Sequence, residues 1–334
     1  MAVHDLRGRS LGDLRISVTD RCNLRCTYCM PRESFGPNHE FLPRSGLLTF
    51  EEIRDVVLAA APLGVRKLRL TGGEPLLRRD LERLVEMLRI AVPEADIALT
   101  TNGVLLSGKA KALADAGLDR VTVSLDAMDA SVYAAMADVE HGPEAAMEGI
   151  EAALDAGLIV KVNCVVRAGV NEQDIVPLLR TFGPRGITVR FIEYMDVGAT
   201  NDWSMASVLP GAAVRTMIEE VHGPLNAITP SSPSDVARTW STKEGWTFGC
   251  IDSVTAPFCG DCSRARLSAD GALYTCLFSN DGHPLLPLVR EGASTEDLRQ
   301  AILSIWSGRN DAYSEQRNGS AERSGRIEMS YIGG

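Results

Sequence analysis

The stretch LGVRKLRLTGG, residues 63–73, decides the fold. Gly64 stands where a helix would end. An apolar residue follows, and a short strand then alternates Leu68 and Leu70 with Arg69 and Thr71. Glycine suits the position just past a helix because left-handed backbone costs it little. The arrangement returns at AGLDRVTVSLD (116–126), AGLIVKVNCVV (156–166) and RGITVRFIEYM (185–195), and LRISVTD (14–20) and DIALTTNG (96–103) complete six strands. Between strands, Thr49 and Glu52 have capping-box spacing, and Ile53, Val56, Val57 and Ala60 share one helical face. Leu81, Leu84, Val85 and Leu88 repeat the pattern. Strands alternating with helices predict parallel βα units.

Several strands carry a polar face: Arg69 and Thr71, Thr122 and Ser124, Lys161 and Asn163, Arg190. A strand covered by helices on both faces would be apolar throughout. The polar face therefore predicts a sheet curved around a wet lumen, an α/β fold with an incomplete (βα)6 barrel of TIM type. The repeat fades after residue 198, which divides the chain into a barrel over 1–198 and a C-terminal region over 199–334. That region should hold a helix over 211–222, a hairpin-like segment with four cysteines, and a helix at about 295–306. The polar, Gly- and Ser-rich end reads on composition as a flexible tail.

The chain has 334 residues, 45% hydrophobic and 23% charged, the balance of a soluble globular protein. No run approaches the roughly 18 apolar residues of a membrane helix, and MAVHDLRGRS lacks a signal-peptide core. These features predict a cytoplasmic protein without a membrane partner. A net charge of −10 argues against nucleic-acid binding but allows a locally basic pocket.

Eight cysteines without a secretion signal point to metal rather than disulfides. SVTDRCNLRCTYCMP (17–31) spaces Cys22, Cys26 and Cys29 as C-x3-C-x2-C. A structural zinc site wants four closed ligands. His39 could supply the fourth, but the loop 30–48 is long and proline-bearing. A four-iron cluster on three thiolates instead leaves one iron open, and an open metal position is what a substrate can occupy. The cysteines follow a strand, at the end where barrel active sites collect.

C-x3-C-x2-C with Tyr28 before the last cysteine, followed by TGGEP (71–75), resembles the radical S-adenosylmethionine (SAM) superfamily. Further motifs narrow the likeness: FLPRSGLLTFEEI (41–53), LTGGEPLLR (70–78), TTNG (100–103), SLDA (124–127), FIEYMDVG (191–198), CSRARL (262–267) and a closing Gly-Gly. Together they resemble the GTP 3′,8-cyclase (MoaA) family of molybdenum cofactor biosynthesis over almost the whole chain, with no departure in these motifs.

The resemblance implies two 4Fe–4S clusters. Cys22, Cys26 and Cys29 match the cluster that chelates SAM. Cys259, Cys262 and Cys276, spaced C-x2-C-x13-C, match a second whose open iron meets the guanine of GTP. Read alone, the second set would favour a zinc ribbon closed by Cys250 or His283. Tyr28, Gly73, Ser124 and Met195 match SAM contacts. Arg15, Arg69, Thr100, Lys161, Arg264, Ala265 and Arg266 match GTP contacts. Arg264 and Arg266 fall on one face if extended and suit an anion clamp. Gly333 and Gly334, on composition a frayed end, match a tail that enters the active site and is needed for activity, and Arg264 and Arg266 stand with them as candidate catalytic residues.

The implied chemistry uses an external electron donor. A 5′-deoxyadenosyl radical takes hydrogen from C3′ of GTP, the C3′ radical adds to C8, and the product passes to MoaC. A homodimer is left open. Cys164 reads as a core residue, and Cys250 and the five histidines receive no role. Two rivals are another two-cluster radical SAM enzyme, for instance one acting on a peptide, and a zinc-stabilised binding protein. Zinc sites are colourless, whereas iron–sulfur protein is brown.

Overall fold

The computed structural model describes residues 3–230, 235–317 and 326–333. The six expected strands are present: β1 Asp13–Ser17, β2 Lys67–Thr71, β3 Asp96–Thr101, β4 Arg120–Ser124, β5 Ile159–Val166 and β6 Thr188–Glu193. They lie side by side in chain order, each parallel to the next. The C-terminal region adds β7 Asn226–Ile228, β8 Arg238–Ser241, β9 Thr247–Ile251, β10 Arg264–Leu267, β11 Ala272–Tyr274 and β12 His283–Pro284.

These later strands do more than the hairpin-like segment expected of them. β10 pairs parallel with β1, and β9 pairs parallel with β6. The sheet order is β12-β11-β10-β1-β2-β3-β4-β5-β6-β9-β8-β7, so the C-terminal region extends both edges of the barrel sheet. Its outermost strands, β12 and β7, do not pair with each other, which leaves the barrel incomplete.

Alternation along the strands sorts the side chains. In β5, Val160, Val162, Cys164 and Val166 are buried in the layer under the helices, while Lys161 and Asn163 line the lumen. Cys164 is thus the core residue expected. Outside, the helix Phe50–Ala60 is capped by Thr49 and Glu52 in a full capping box and buries Ile53, Val56, Val57 and Ala60. Leu81, Leu84, Val85 and Leu88 do the same for the helix Leu81–Ala91. Each such Val, Leu or Ile contributes about 1.5–3 kcal/mol on burial. Gly64, Gly117, Gly157 and Gly186 all have positive φ, between 71° and 121°, where each helix turns into its strand.

The helices Gly211–His222 and Thr295–Ser307 stand where the sequence placed them. Of the end read as a flexible tail, residues 318–325 and 334 lie outside the described residues, and the described ones do not behave as composition suggested. Tyr313–Gln316 and Met329–Ile332 are helical turns, and Ile332 is fully buried. Specific side-chain bonds, described below, hold these polar residues. Among the described residues, no helix is long and apolar enough to cross a membrane.

Candidate active site

Past Ser17 the chain stays bonded to the turn after β2. Val18 N–H donates to the Thr71 carbonyl at 3.0 Å, Gly73 N–H to Thr19 at 2.8 Å, and Glu74 N–H to Arg21 at 2.8 Å. Only glycine permits this approach. A Cβ on Gly72 would stand 2.6 Å from the Thr19 carbonyl oxygen, and one on Gly73 would overlap the Arg21 carbonyl. The pairing delivers Cys22, Cys26 and Cys29 to the C-terminal mouth of the barrel. Arg25 secures their loop, donating to the carbonyls of Cys22 at 2.9 Å and Phe35 at 2.8 Å.

Burial pushes the Cys22 thiol up to about 11 and holds Cys26 and Cys29 well above the usual thiol range. Such thiols ionise only against concentrated positive charge, which an iron–sulfur cluster supplies. The donor set fits that group. His39 packs between Phe35 and Phe41, ring centroids 4.6 Å from each, so it is engaged as an aromatic spacer and not offered as a fourth ligand.

Two buried carboxyls flank this mouth. Burial raises Asp126 to about 6, against hydrogen bonds from the Tyr28 hydroxyl at 2.7 Å and Val165 N–H at 2.8 Å. Burial raises Glu74 to about 7, although Asn102 N–H, Leu76 N–H and the Thr101 hydroxyl donate to it at 2.7–2.9 Å.

Below the mouth runs a cavity of about 930 Å³. Arg15, Arg69, Arg120, Lys161, Arg190, Arg264 and Arg266 line it. Arg69 donates to the Thr100 and Thr122 hydroxyls at 3.3 and 3.4 Å, and Arg190 reaches the same Thr122 at 3.2 Å and Asn163 at 2.9 Å. The Nε atoms of Arg15 and Arg69 are buried without a partner. Burial, then mutual repulsion, lowers Lys161 to about 8, Arg190 to about 9 and Arg266 to about 10. Cations held so close, with N–H groups unmet, form a site for a polyanion.

At the opposite mouth stand Cys259, Cys262 and Cys276. Arg264 of β10 is level with Asp13 of β1, so Cys262 lies just below the start of β1. From that level to Ser17 is six residues, 11 to 17, or roughly 20 Å at about 3.3 Å per residue. Arg264 donates to the Cys262 sulfur at 3.2 and 3.3 Å. Burial would raise Cys262, but Arg264 and Arg309 outweigh it and bring the thiol to about 6. Burial pushes Cys276 up to about 11. Cys250 is 1% exposed in the core, and His283 is exposed on β12, so neither closes this set.

Residues 16–182 match the radical SAM superfamily, and residues 187–315 match Molybdenum Cofactor Synthesis C. The GTP 3′,8-cyclase of Acidothermus cellulolyticus is 48% identical, covering 99% of both chains. That of Staphylococcus epidermidis is 45% identical over the same share of each. The chain belongs to the GTP 3′,8-cyclase family. The crystal structure of Streptococcus suis SuiB bound to S-adenosylmethionine covers 88% of this chain and 69% of its own, with a TM-score of 0.61 at 14% identity. That likeness shows a shared fold. As a radical SAM protein, this family member takes a 4Fe–4S cluster and SAM.

The structure brings nearly all the residues singled out by the family resemblance to this one cavity. Tyr28, Gly73, Ser124 and Met195 line it at the first cysteine end, and Arg15, Arg69, Thr100, Lys161, Arg264 and Arg266 line its wall. Ala265 stands apart. Alternation in β10 turns its side chain into the apolar core, 1% exposed, so only its backbone is left to meet a substrate. Gly333 accepts a short hydrogen bond from Arg266, and a Cβ there would collide with the Thr71 hydroxyl. Gly334 lies outside the described residues. The site also includes Arg120, Arg190, Asn163 and Asp126, with Glu74 buried behind Thr101 and Asn102, none of which was a named candidate. Arg190 and Asn163 were visible as polar strand residues, and Glu74 and Asp126 sat inside the quoted TGGEP and SLDA motifs.

The tail reaches Arg266 because Asp196, in FIEYMDVG, holds it. Asp196 accepts from the Tyr313 hydroxyl at 2.5 Å and from Arg317 at 2.9 Å, and its carbonyl accepts from Arg326 at 2.8 Å. Glu328 accepts from Ala199 N–H at 2.9 Å.

Proposed function

We propose that this chain is a GTP 3′,8-cyclase that converts GTP to (8S)-3′,8-cyclo-7,8-dihydroguanosine 5′-triphosphate at the start of molybdenum cofactor biosynthesis. One observation carries the reading: a cation-walled lumen with unmet buried N–H groups on Arg15 and Arg69 separates two three-cysteine sets at opposite mouths. A triphosphate fits the wall, a nucleoside fits the length, and each end offers a ligand set.

Bound at Cys22, Cys26 and Cys29, the first cluster supplies the electron that cleaves SAM to a 5′-deoxyadenosyl radical. Tyr28, Gly73, Ser124 and Met195 would seat SAM beside it. Arg15, Arg69, Thr100, Lys161, Arg264 and Arg266, with Arg190, would hold GTP so that its ribose faces the SAM end and its guanine the far end. Cys259, Cys262 and Cys276 would hold the second 4Fe–4S cluster, which would supply a Lewis-acidic site for the guanine. C3′ loses hydrogen to the radical and bonds to C8, and one electron and one proton complete the product. The protein's share is positioning and exclusion of water. In this reading residues 1–198 form the SAM barrel and 199–334 the second-cluster region with its Gly-Gly tail. An external donor supplies electrons, and the product passes to MoaC in the cytoplasm.

The test uses anaerobically reconstituted protein, SAM, a reductant and GTP deuterated at C3′. Deuterium in the 5′-deoxyadenosine, read by mass spectrometry, supports the reaction and the attacked carbon. Unlabelled 5′-deoxyadenosine would keep the radical chemistry and remove the C3′ assignment.

A further inference from the structure

A ring of charge lies beside the second cysteine set, at the end of the cavity, which Arg9, Arg309 and Asp311 also line. Its members are Asp5, Arg9, Arg309 and Asp311. The side chains of Asp5, Arg9 and Arg309 are 0–1% exposed. Signs alternate around the ring. Arg9 Nε donates to Asp5 Oδ2 at 2.6 Å, and Arg309 Nη1 lies 3.6 Å from the same oxygen. Arg309 Nη2 is 3.0 Å from Asp311 Oδ1, and Arg9 Nη2 is 3.7 Å from it. The ring joins the chain before β1 to the chain after the helix Thr295–Ser307.

Three buried charges and a partly exposed fourth, Asp311, are not needed for folding alone, since apolar residues of equal volume often serve as well. The remaining hydrogen bonds of the ring point elsewhere. Arg9 Nη1 donates to the Cys259 carbonyl at 3.0 Å. Arg309 Nη1 donates to the Cys262 carbonyl at 2.7 Å. Asp311 Oδ2 accepts from the hydroxyl of Thr275, the neighbour of Cys276, at 2.7 Å. One ring therefore holds the backbone carbonyls of Cys259 and Cys262 and the side chain next to Cys276.

We propose that Asp5, Arg9, Arg309 and Asp311 are positioning residues for the second cluster, holding its three-thiol cradle in place and setting the charge behind it. This rests on the reading of Cys259, Cys262 and Cys276 as cluster ligands. The planar guanidinium fork is what lets Arg309 serve Cys262, Asp311 and Asp5 together, and an ammonium group cannot do so. Outer partners of this kind orient ligands and tune the metal they hold.

The test reconstitutes the full chain anaerobically and reads iron per chain and electron paramagnetic resonance with and without SAM. Wild type should hold about eight irons, four per cluster. Arg309→Lys should retain the first cluster and its SAM-dependent spectral change, which reports a folded barrel, while iron falls toward about four. Thr275→Val, which removes a single hydrogen bond, should keep its iron and shift the reduction potential of the second cluster. Wild-type iron and wild-type second-cluster spectra in both variants would overturn the proposal. If Arg309→Lys loses both clusters by misfolding, Thr275→Val decides, and an unchanged potential there sinks the idea. If wild type itself holds only about four irons, the reading of a second cluster fails first.

Discussion

Lys161 shows how the lumen handles charge. Its ammonium is lowered to about 8 by burial, then by Arg190, Arg120 and Arg69. A triphosphate reverses that balance and draws a proton onto the amine. GTP affinity should therefore be level below about pH 8 and weaken as pH rises above it, with proton uptake on binding in that range. Calorimetry in buffers of different ionisation enthalpy would show the uptake. In the empty protein the linkage runs the other way. The unfolded chain binds more protons between about 8 and the ordinary lysine value of 10.5, so the empty fold gains stability as pH rises through that window. Lys161→Met should weaken GTP binding roughly 10–100-fold, because a hydrogen bond to a charged group contributes roughly 1.5–3 kcal/mol. It should also erase the pH step; a step that survives would assign it to another group.

At the scale of elements, the βα repeat was legible because each unit is local: a helix face, a glycine that takes positive φ, then a strand with one polar side. The polar side even disclosed Arg69, Lys161 and Arg190 before the lumen existed as geometry. The flanking strands were not legible. β9 and β10 are only five and four residues long, and each pairs with a strand far away in sequence, β10 with β1 across some 250 residues. No local period records such a partner. Their placement nevertheless has local consequences. Because Ala265 faces the core while Arg264 and Arg266 face the lumen, Ala265→Leu should cost about 1–3 kcal/mol by overpacking. A lowered midpoint in denaturant with an unchanged slope would show it. The TGGEP turn makes a sharper demand. Gly73→Ala must push back the Arg21 carbonyl and with it the start of the cysteine loop. The expected outcome is loss of first-cluster iron with the second-cluster signal retained. Full iron at both sites would show that the loop yields without harm.

Taken as a whole molecule, the chain carries a net charge of −10 yet lines its cavity with cations, and Met329, Ser330 and Gly333 close on them. Composition could not foresee this clamp, since nothing in Gly, Ser and Arg content says that Arg317, Arg326 and Tyr313 share Asp196. That clamp sits one residue past Met195, which lines the cavity at the first cysteine end, so that end of the cavity and the tail are fastened to one segment. Removing Gly333 and Gly334 should leave both clusters and the unfolding midpoint near wild type, because what Gly333 adds is a carbonyl bond to Arg266 and a close approach to Thr71, neither of which holds a cysteine. Cyclisation should nevertheless be lost, while the SAM-dependent spectral change persists. Asp196→Asn supplies the complementary case. It keeps the glycines but removes the charge that Arg317 and Arg326 share, so the tail should become open to limited proteolysis and product formation should fall with it. If the truncated chain cyclises GTP at the wild-type rate, the contact between Gly333 and Arg266 is a resting place for the tail and not part of the reaction. If truncation abolishes product but Asp196→Asn does not, the glycines act in the site without needing the clamp to bring them there.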